Sequence, residues 1–323
     1  MNVALSDETL RHLRAVADEP DLTGTKYQLL GAIGKGGMAT VYAARDTELD
    51  RDVAVKVLST EDDALAERLL REARILAHLE HPGIVPVHDV GRLPDGRVFY
   101  VMKRVRGRRL DEFIEGASRD ERLRMFPRIC DAVAFAHAHG VLHRDLKPAN
   151  IMVGEFGEIL VLDWGVAKLA LPEPNAAAPH GQGEGTAHGT TVGTPGWMAP
   201  EQAGSASIDA RSDVYGLGAI LHFLLFNRPP GTATLAQRPA GMPRRLHAIL
   251  RCALAPDPSH RYASVSALSD DVQRYLAGAS VAAYREPAIE RMVRFASKYR
   301  TPIALILGYV LMRVLLLLFA GDE

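Results

Sequence analysis

The 323-residue chain has only two cysteines, Cys130 and Cys252, far apart and set in apolar surroundings. With no Cys-x-x-Cys pair, neither a disulfide framework nor a cysteine-based zinc site is expected, and a reducing compartment fits best. A charge of one sign is missing too: 38 Lys plus Arg stand against 39 Asp plus Glu, a formal −1. Nucleic-acid binders usually show a strongly basic domain, so no nucleic-acid partner is expected. The opening MNVALSDETLRHLRAVADEP has no basic start and no uninterrupted apolar run, so a secretory signal is not expected either. No internal repeat is visible. At 47% hydrophobic, 24% charged and 6% aromatic residues, the composition fits neither a fibrous nor a largely disordered chain. The length suits two lobes, each able to bury a core.

Residues 1–26 read as a polar leader; through Thr25, Arg11 and Arg14 face five acidic residues, a net −3. From Tyr27 to Met102 short β-type runs dominate: YQLLGAI, TVYAA, DVAVKVL, GIVPVHDV and RVFYVM. One helical stretch interrupts them over 64–79, where Leu65, Leu69, Ala73, Leu76 and Leu79 recur at helical spacing. After Val105 the texture turns helical, as in 119–139 and 213–226. Strands followed by helices predict an α+β protein of two lobes, 27–102 and 106–276. Leu171 to Gly193, rich in Pro, Gly, Ala and Thr, has no periodicity and reads as a long functional loop.

Gly34-Lys35-Gly36-Gly37-Met38-Ala39 lies between two β-runs, where glycines let backbone N–H groups approach a phosphate. A dinucleotide-binding turn should open a helix; this one enters a strand, so that reading fails. Lys56 ends an alternating apolar strand, Val53-Ala54-Val55-Lys56, and an inward ammonium needs an anion. Glu72 on the following helix could supply it. His143-Arg144-Asp145-Leu146-Lys147-Pro148-Ala149-Asn150 gathers base-capable, cationic and metal-capable groups just after an apolar helix. Asp163-Trp164-Gly165 follows a short apolar strand. A carboxylate and an amide at two strand ends supply the oxygen donors that Mg²⁺ prefers. Ala199-Pro200-Glu201 closes the long loop.

In this order and spacing, the set resembles the eukaryotic-like (Hanks-type) serine/threonine protein kinases of bacteria, over roughly Tyr27 to Leu276. The resemblance implies a two-lobed kinase fold that uses ATP and Mg²⁺ on protein Ser/Thr substrates. It places Gly34, Lys35, Gly36, Gly37, Met38, Ala39 and Thr40 over the phosphates, with Ile33 and Val41 flanking the adenine and ribose. Lys56, oriented by Glu72, would hold the α- and β-phosphates. Met102 would sit behind the adenine, Val105 would offer hinge backbone, and Ala54 and Met152 would sandwich the base. Asp145 would take or orient the substrate hydroxyl proton, Lys147 would neutralise the transferring phosphoryl group, and Asn150 and Asp163 would ligate Mg²⁺. Glu201 would pair with Arg261, and Asp213 would anchor the catalytic-loop backbone. His143, Trp164 and Leu76 would be packing.

Lys147 with Thr194 resembles the serine/threonine branch. Arg144 beside Asp145 implies activation by loop phosphorylation, with Thr190 and Thr191 the first acceptors and Thr186 next. Phosphorylation between copies would imply a homodimer. The sequence departs from the family pattern at Ala39, Trp164 and Lys103, and in a short 227–242 region; none removes a catalytic group. The alternative, a membrane-tethered pseudokinase scaffold, would have been favoured by loss of Lys56, Asp145, Asn150 or Asp163.

From Ile303 to Ala320 the only charge is Arg313. These 18 residues give about 27 Å of helix against a hydrocarbon core of about 30 Å. Arg285, Arg291, Arg294, Lys298 and Arg300 precede the run, against Glu286 and Glu290 alone. The expectation is a basic juxtamembrane segment over 277–301 and a single-pass anchor over 302–320, with the kinase domain in the cytoplasm at the cell membrane. An interfacial or self-associating helix is the rival.

Overall fold

Alternation of apolar residues builds the first lobe. In the computed structural model, which describes residues 19–164, 168–169, 196–203, 208–231, 237–292 and 299–319, strands β1 (Tyr27–Lys35), β2 (Ala39–Asp46), β3 (Arg51–Leu58), β4 (Val87–Arg92) and β5 (Val98–Lys103) form one antiparallel sheet. Its order is β1-β2-β3-β5-β4. Successive side chains of β3 point to opposite faces. Val53, Val55 and Val57 pack into an outer cluster with Tyr27, Tyr42, Phe99 and Val101. Ala54, Lys56 and Leu58 are thereby turned to the other face, where helix α1 (Asp63–His78) packs. Helix α1 starts where Asp62 accepts the Leu65 N–H, and buries Ala66, Leu69, Glu72, Ala73, Ile75 and Leu76 along one face. Glu72 thus enters the lobe interior by helical spacing alone.

One expected strand is shorter than its apolar run. GIVPVHDV contributes only Val87 onward to β4, while Ile84 makes a lone parallel bridge to Val161. The interruption is Pro86, which has no N–H to give a ladder and whose carbonyl instead accepts from Lys103 N–H at 3.1 Å.

The second lobe begins with β6 (Gly107–Arg109) and the short α2 (Leu110–Phe113). Helix α3 (Arg119–Ala138) opens on a capping box between Ser118 and Glu121. Strand β7 (Val141–Leu142) pairs with β10 (Lys168–Leu169), and β8 (Ile151–Gly154) lies between β6 and β9 (Ile159–Val161). Helices α4 (Ala210–Phe226), α5 (Arg244–Ala253) and α6 (Val265–Leu276) complete it. Leu217, Ala219, Ile220, Leu221 and Leu224 of α4 are fully buried, so this helix is the lobe's axis. The observed elements make the expected α+β pattern, sheet first and helices after.

Past α6 the chain does not leave the lobe. Asp271 of α6 is fully buried and accepts the Tyr262 hydroxyl at 2.9 Å and the N–H groups of Ala282 and Ala283 at 2.7 and 2.9 Å. Arg245 donates to the Ala279 carbonyl at 2.7 Å, and Val281 is buried in the core. The first part of the expected juxtamembrane segment is therefore a strap on α5 and α6.

The tail departs from expectation. Helix α7 (Arg300–Phe319) is present, but among the described residues no helix is long and apolar enough to cross a membrane. Leu305, Ile306, Leu307, Tyr309, Val310, Leu311 and Met312 are all exposed.

Candidate active site

The cleft between the lobes is organised by one lysine. Lys56 Nζ donates to Glu72 Oε1 at 2.8 Å and to Asp163 Oδ1 at 3.0 Å, joining β3, α1 and the segment after β9. Burial opposes its charge, but Tyr100, Glu72 and Asp163 outweigh burial and hold the ammonium above its ordinary range. Burial likewise works against the Asp163 carboxylate, and Lys56, seconded by His143 and Lys147, keeps it below the usual range. Tyr100 donates its hydroxyl to the same Glu72 oxygen at 2.8 Å. It stands opposite Lys56 in the β3–β5 register. Sequence reasoning missed it, although a tyrosine inside the apolar run VFYVM needs a partner for its hydroxyl.

The segment 143–150 is held from below. Buried Asp213 accepts the His143 and Arg144 N–H groups, each at 2.8 Å, and lies 2.7 Å from His137 Nε2. Burial would raise its carboxyl, but the His137 contact and the backbone donors keep it lowered. On this base Lys147 Nζ donates to Asp145 Oδ2 at 2.7 Å. Asn150 Nδ2 donates to the Asp145 carbonyl at 2.8 Å and to Oδ2 at 3.2 Å. His143 fixes its ring between the Asp145 N–H on Nδ1, at 3.3 Å, and the Leu162 carbonyl on Nε2, at 3.1 Å. Its ring packs against the fully buried Trp164 at 4.6 Å between centroids, the two planes tilted by 51°.

The two constellations meet through backbone. The β8–β9 register pairs Ile151 with Val161, and the Leu162 N–H continues it by donating to the Asn150 carbonyl at 2.8 Å. Asn150 and Asp163 therefore leave the same end of the ladder. Asp163 and Arg144 both take left-handed backbone, φ 61° and 69°. Non-glycine residues persist there only when their neighbours over-determine them.

Around this centre, Ala54 and Met102 are direct partners across β3–β5, and Val41 pairs with both Gly34 and Lys56. Met152 pairs with Leu160 and, on its other side, Arg109. Val105 is half-buried in the connection between lobes, and Ile33 and Met38 are exposed at the glycine turn. Lys35 pairs with Thr40, closing that turn. The Gly36 N–H is spent inside the turn, donating to the Ala39 carbonyl at 2.9 Å, and a Cβ there would stand 3.2 Å from that oxygen. Gly37 is open on all sides. Asp52, near the start of the strand that carries Lys56, collects Arg45, Arg104 and Arg106 at 2.9, 3.3 and 2.6 Å. This ties the basic hinge to β3, where an acidic hinge residue is common in the resembling family.

Glu201 and Arg261 form a buried two-pronged pair at 2.6 and 2.7 Å, with the Ser212 hydroxyl on the same carboxylate at 2.7 Å. Leu76 is buried in the core that connects the lobes. Thr186, Thr190, Thr191, Thr194 and Gly165 lie outside the described residues, as does the whole of the loop 171–193.

Comparison with known proteins shows the family. The family described as "Protein kinase domain" matches residues 27–276. The serine/threonine-protein kinase PknD of Protochlamydia amoebophila is 35% identical over 297 residues, covering 79% of this chain and 30% of that protein. The serine/threonine-protein kinase PknB of Mycolicibacterium smegmatis is 35% identical over 280 residues, covering 79% of this chain and 44% of the relative. The PknD kinase of Chlamydia caviae is 34% identical over 292 residues, with 78% and 31% covered. The chain thus spans less than half the length of these curated relatives.

Proposed function

The chain belongs to the protein kinase domain family, and from that membership we propose that it is a serine/threonine protein kinase, moving the γ-phosphoryl group of ATP to hydroxyls of protein substrates. The observation that carries this reading is the convergence of Lys56–Glu72–Asp163 and Lys147–Asp145–Asn150 on one ladder end. Lys56, held charged, would take the α- and β-phosphates. Asp145, its Oδ2 fixed by Lys147 and Asn150, would receive or orient the hydroxyl proton, and Lys147 would face the transferring group.

The residues also fit Mg²⁺. Asp163 is half-exposed and kept ionised, and Asn150 spends its amide N–H groups on Asp145, which leaves its carbonyl oxygen as a donor. Among the described residues no group of three or more His, Cys, Asp or Glu could hold a metal by itself. This suits an ion whose shell substrate phosphates and water complete. Bound there, Mg²⁺ would neutralise charge on the phosphates. The pseudokinase alternative is not favoured, because Lys56, Asp145, Asn150 and Asp163 are all present and in contact.

Regulation through the long loop is part of the proposal. The Arg144 Nε is buried and has no hydrogen-bond partner among the described residues. A phosphate on Thr186, Thr190 or Thr191 would give this guanidinium an anion, whether placed within one chain or between two copies. Purified full-length chain is expected to autophosphorylate with Mg-ATP, with phosphate mapped by mass spectrometry between Thr186 and Thr194. Transfer neither to itself nor to a generic basic protein would refute the kinase reading.

The exposed apolar residues of α7, behind a basic segment, support association with an anionic membrane surface, with the kinase domain on the cytoplasmic side. Alkaline carbonate extraction of membranes tests depth: full release into the wash marks surface binding, and retention marks insertion.

A further inference from the structure

One carboxamide outside the motif set joins the turn that closes the long loop to the peptide that leads into Asp145. Gln202 follows Ala199-Pro200-Glu201 on the short turn Pro200–Ala203. Its Nε2 donates to the Arg144 carbonyl at 2.7 Å, and its Oε1 accepts the Ala199 N–H at 2.9 Å. The Gln202 N–H in turn donates to the Ala199 carbonyl at 3.0 Å, so the side chain is locked to its own turn. Ala199 is fully buried, which leaves the turn no room to slide.

The far end of this link is the strained residue. Arg144 has φ 69°, a region that a side-chain-bearing residue keeps only under constraint. Its N–H is held by Asp213 Oδ1 at 2.8 Å, and its carbonyl is held by Gln202. The two peptides flanking Arg144 are thus gripped from two segments, the one before it by α4 and the one into Asp145 by the Pro200–Ala203 turn. Rotation of the second peptide would swing the Asp145 carboxylate away from the position Lys147 and Asn150 set for it. Only a group that donates at one end and accepts at the other can make both bonds.

We propose that Gln202 is a positioning residue for Asp145, and that its carboxamide makes the catalytic-loop geometry depend on the turn that ends the long loop. This inference rests on the kinase reading above and deepens it. It gives a change in the loop a route to the reacting centre through two hydrogen bonds, separate from any charge on Arg144.

The test compares full-length wild type with Gln202→Met and Gln202→Glu. Both variants are expected to lose roughly tenfold to a hundredfold in kcat, the scale of a small misplacement of a reacting group. KM for ATP should stay within about threefold, because nucleotide contacts lie on other elements. Gln202→Glu carries a further signature. Ionised, the new carboxyl can only accept and must repel the Arg144 carbonyl; protonated, it donates again. Arg144, Asp145, Ser212 and Asp213 line the same small cavity as Gln202 and are the polar groups that face it. The ratio of variant to wild-type kcat should therefore climb as the pH is lowered from about 6 toward about 4, the range in which a glutamate of ordinary pKa takes up its proton. Hydrogen exchange over 143–147 should be faster in Gln202→Met than in wild type.

Wild-type kcat in either variant, a ratio that does not change with pH, or unchanged exchange over 143–147 would overturn the proposal. If Gln202→Met fails to fold, Gln202→Glu decides, since it keeps the size and the Ala199 contact. If the wild type transfers no phosphate, the kinase reading fails, and the exchange comparison still decides the role of Gln202.

Discussion

Asp145→Asn is expected to abolish measurable phosphoryl transfer while the chain stays folded and still binds nucleotide. The change keeps the shape of the side chain and removes its negative charge. Asp145 Oδ2 lies 2.7 Å from Lys147 Nζ and 3.2 Å from Asn150 Nδ2, so two donors already converge on one oxygen. An amide oxygen can still accept from one of them, but it cannot take a hydroxyl proton. Loss of a positioned base costs typically 10²- to 10⁴-fold in rate. Lys56, Glu72 and Asp163 are untouched, so the affinity for a fluorescent ATP analogue should hold within about threefold. Stopped phosphate-incorporation assays beside a nucleotide-binding titration measure both quantities. Full activity in the variant would remove Asp145 from the chemistry, and loss of binding in step with activity would point to misfolding.

Arg261→Ala should produce the largest loss of stability. The Arg261 side chain is fully buried and reaches Glu201 with both guanidinium ends, and it also donates to the carbonyls of Ala255, Pro256 and Arg211. Removing one member of such a pair leaves the other charge buried without compensation, which costs roughly 3–5 kcal/mol. The sign of the pH dependence follows from the carboxylate. Burial would raise Glu201, yet Arg261 and Ser212 hold it below its ordinary 4.5. A group with a depressed folded pKa contributes stability that is fully present above the unfolded value and is lost as the pH falls through the folded one. The gap between wild type and Arg261→Ala should therefore be widest near neutral pH and narrow in acid. Urea denaturation at about pH 7 and about pH 4 checks it. A gap that widens in acid would contradict the role given to Glu201.

How much could be read from the sequence depends on the kind of residue. Lys56 and Asp163 stood out as charged groups at the ends of apolar strands, where burial demands a partner, and Asp145 and Asn150 because 143–150 gathers base-capable, cationic and metal-capable groups in one stretch. The structure joins all four within two linked constellations. The pairing of Glu201 with Arg261 and the anchoring by Asp213 were legible through the resemblance. Tyr100, His137 and Gln202 were not. Their effect comes from cross-strand register or from a contact between distant segments, and a single tyrosine, histidine or glutamine carries no charge pattern that marks it. The glycine turn was legible as a turn, while the use of the Gly36 N–H within it was not. The tail misled differently: its apolar run read as a membrane span, whereas among the described residues no helix is long and apolar enough to cross a membrane.

The strap past α6 has a mechanical consequence. A flexible leash would let the segment from Tyr299 onward wander without disturbing the enzyme. Here Ala282 and Ala283 are fastened to a buried carboxylate on α6, and α6 packs on α3, the helix that runs directly into Val141, Leu142 and His143. A pull that reached Ala283 would act directly on Asp271, and from there it would load the helix that feeds the catalytic loop.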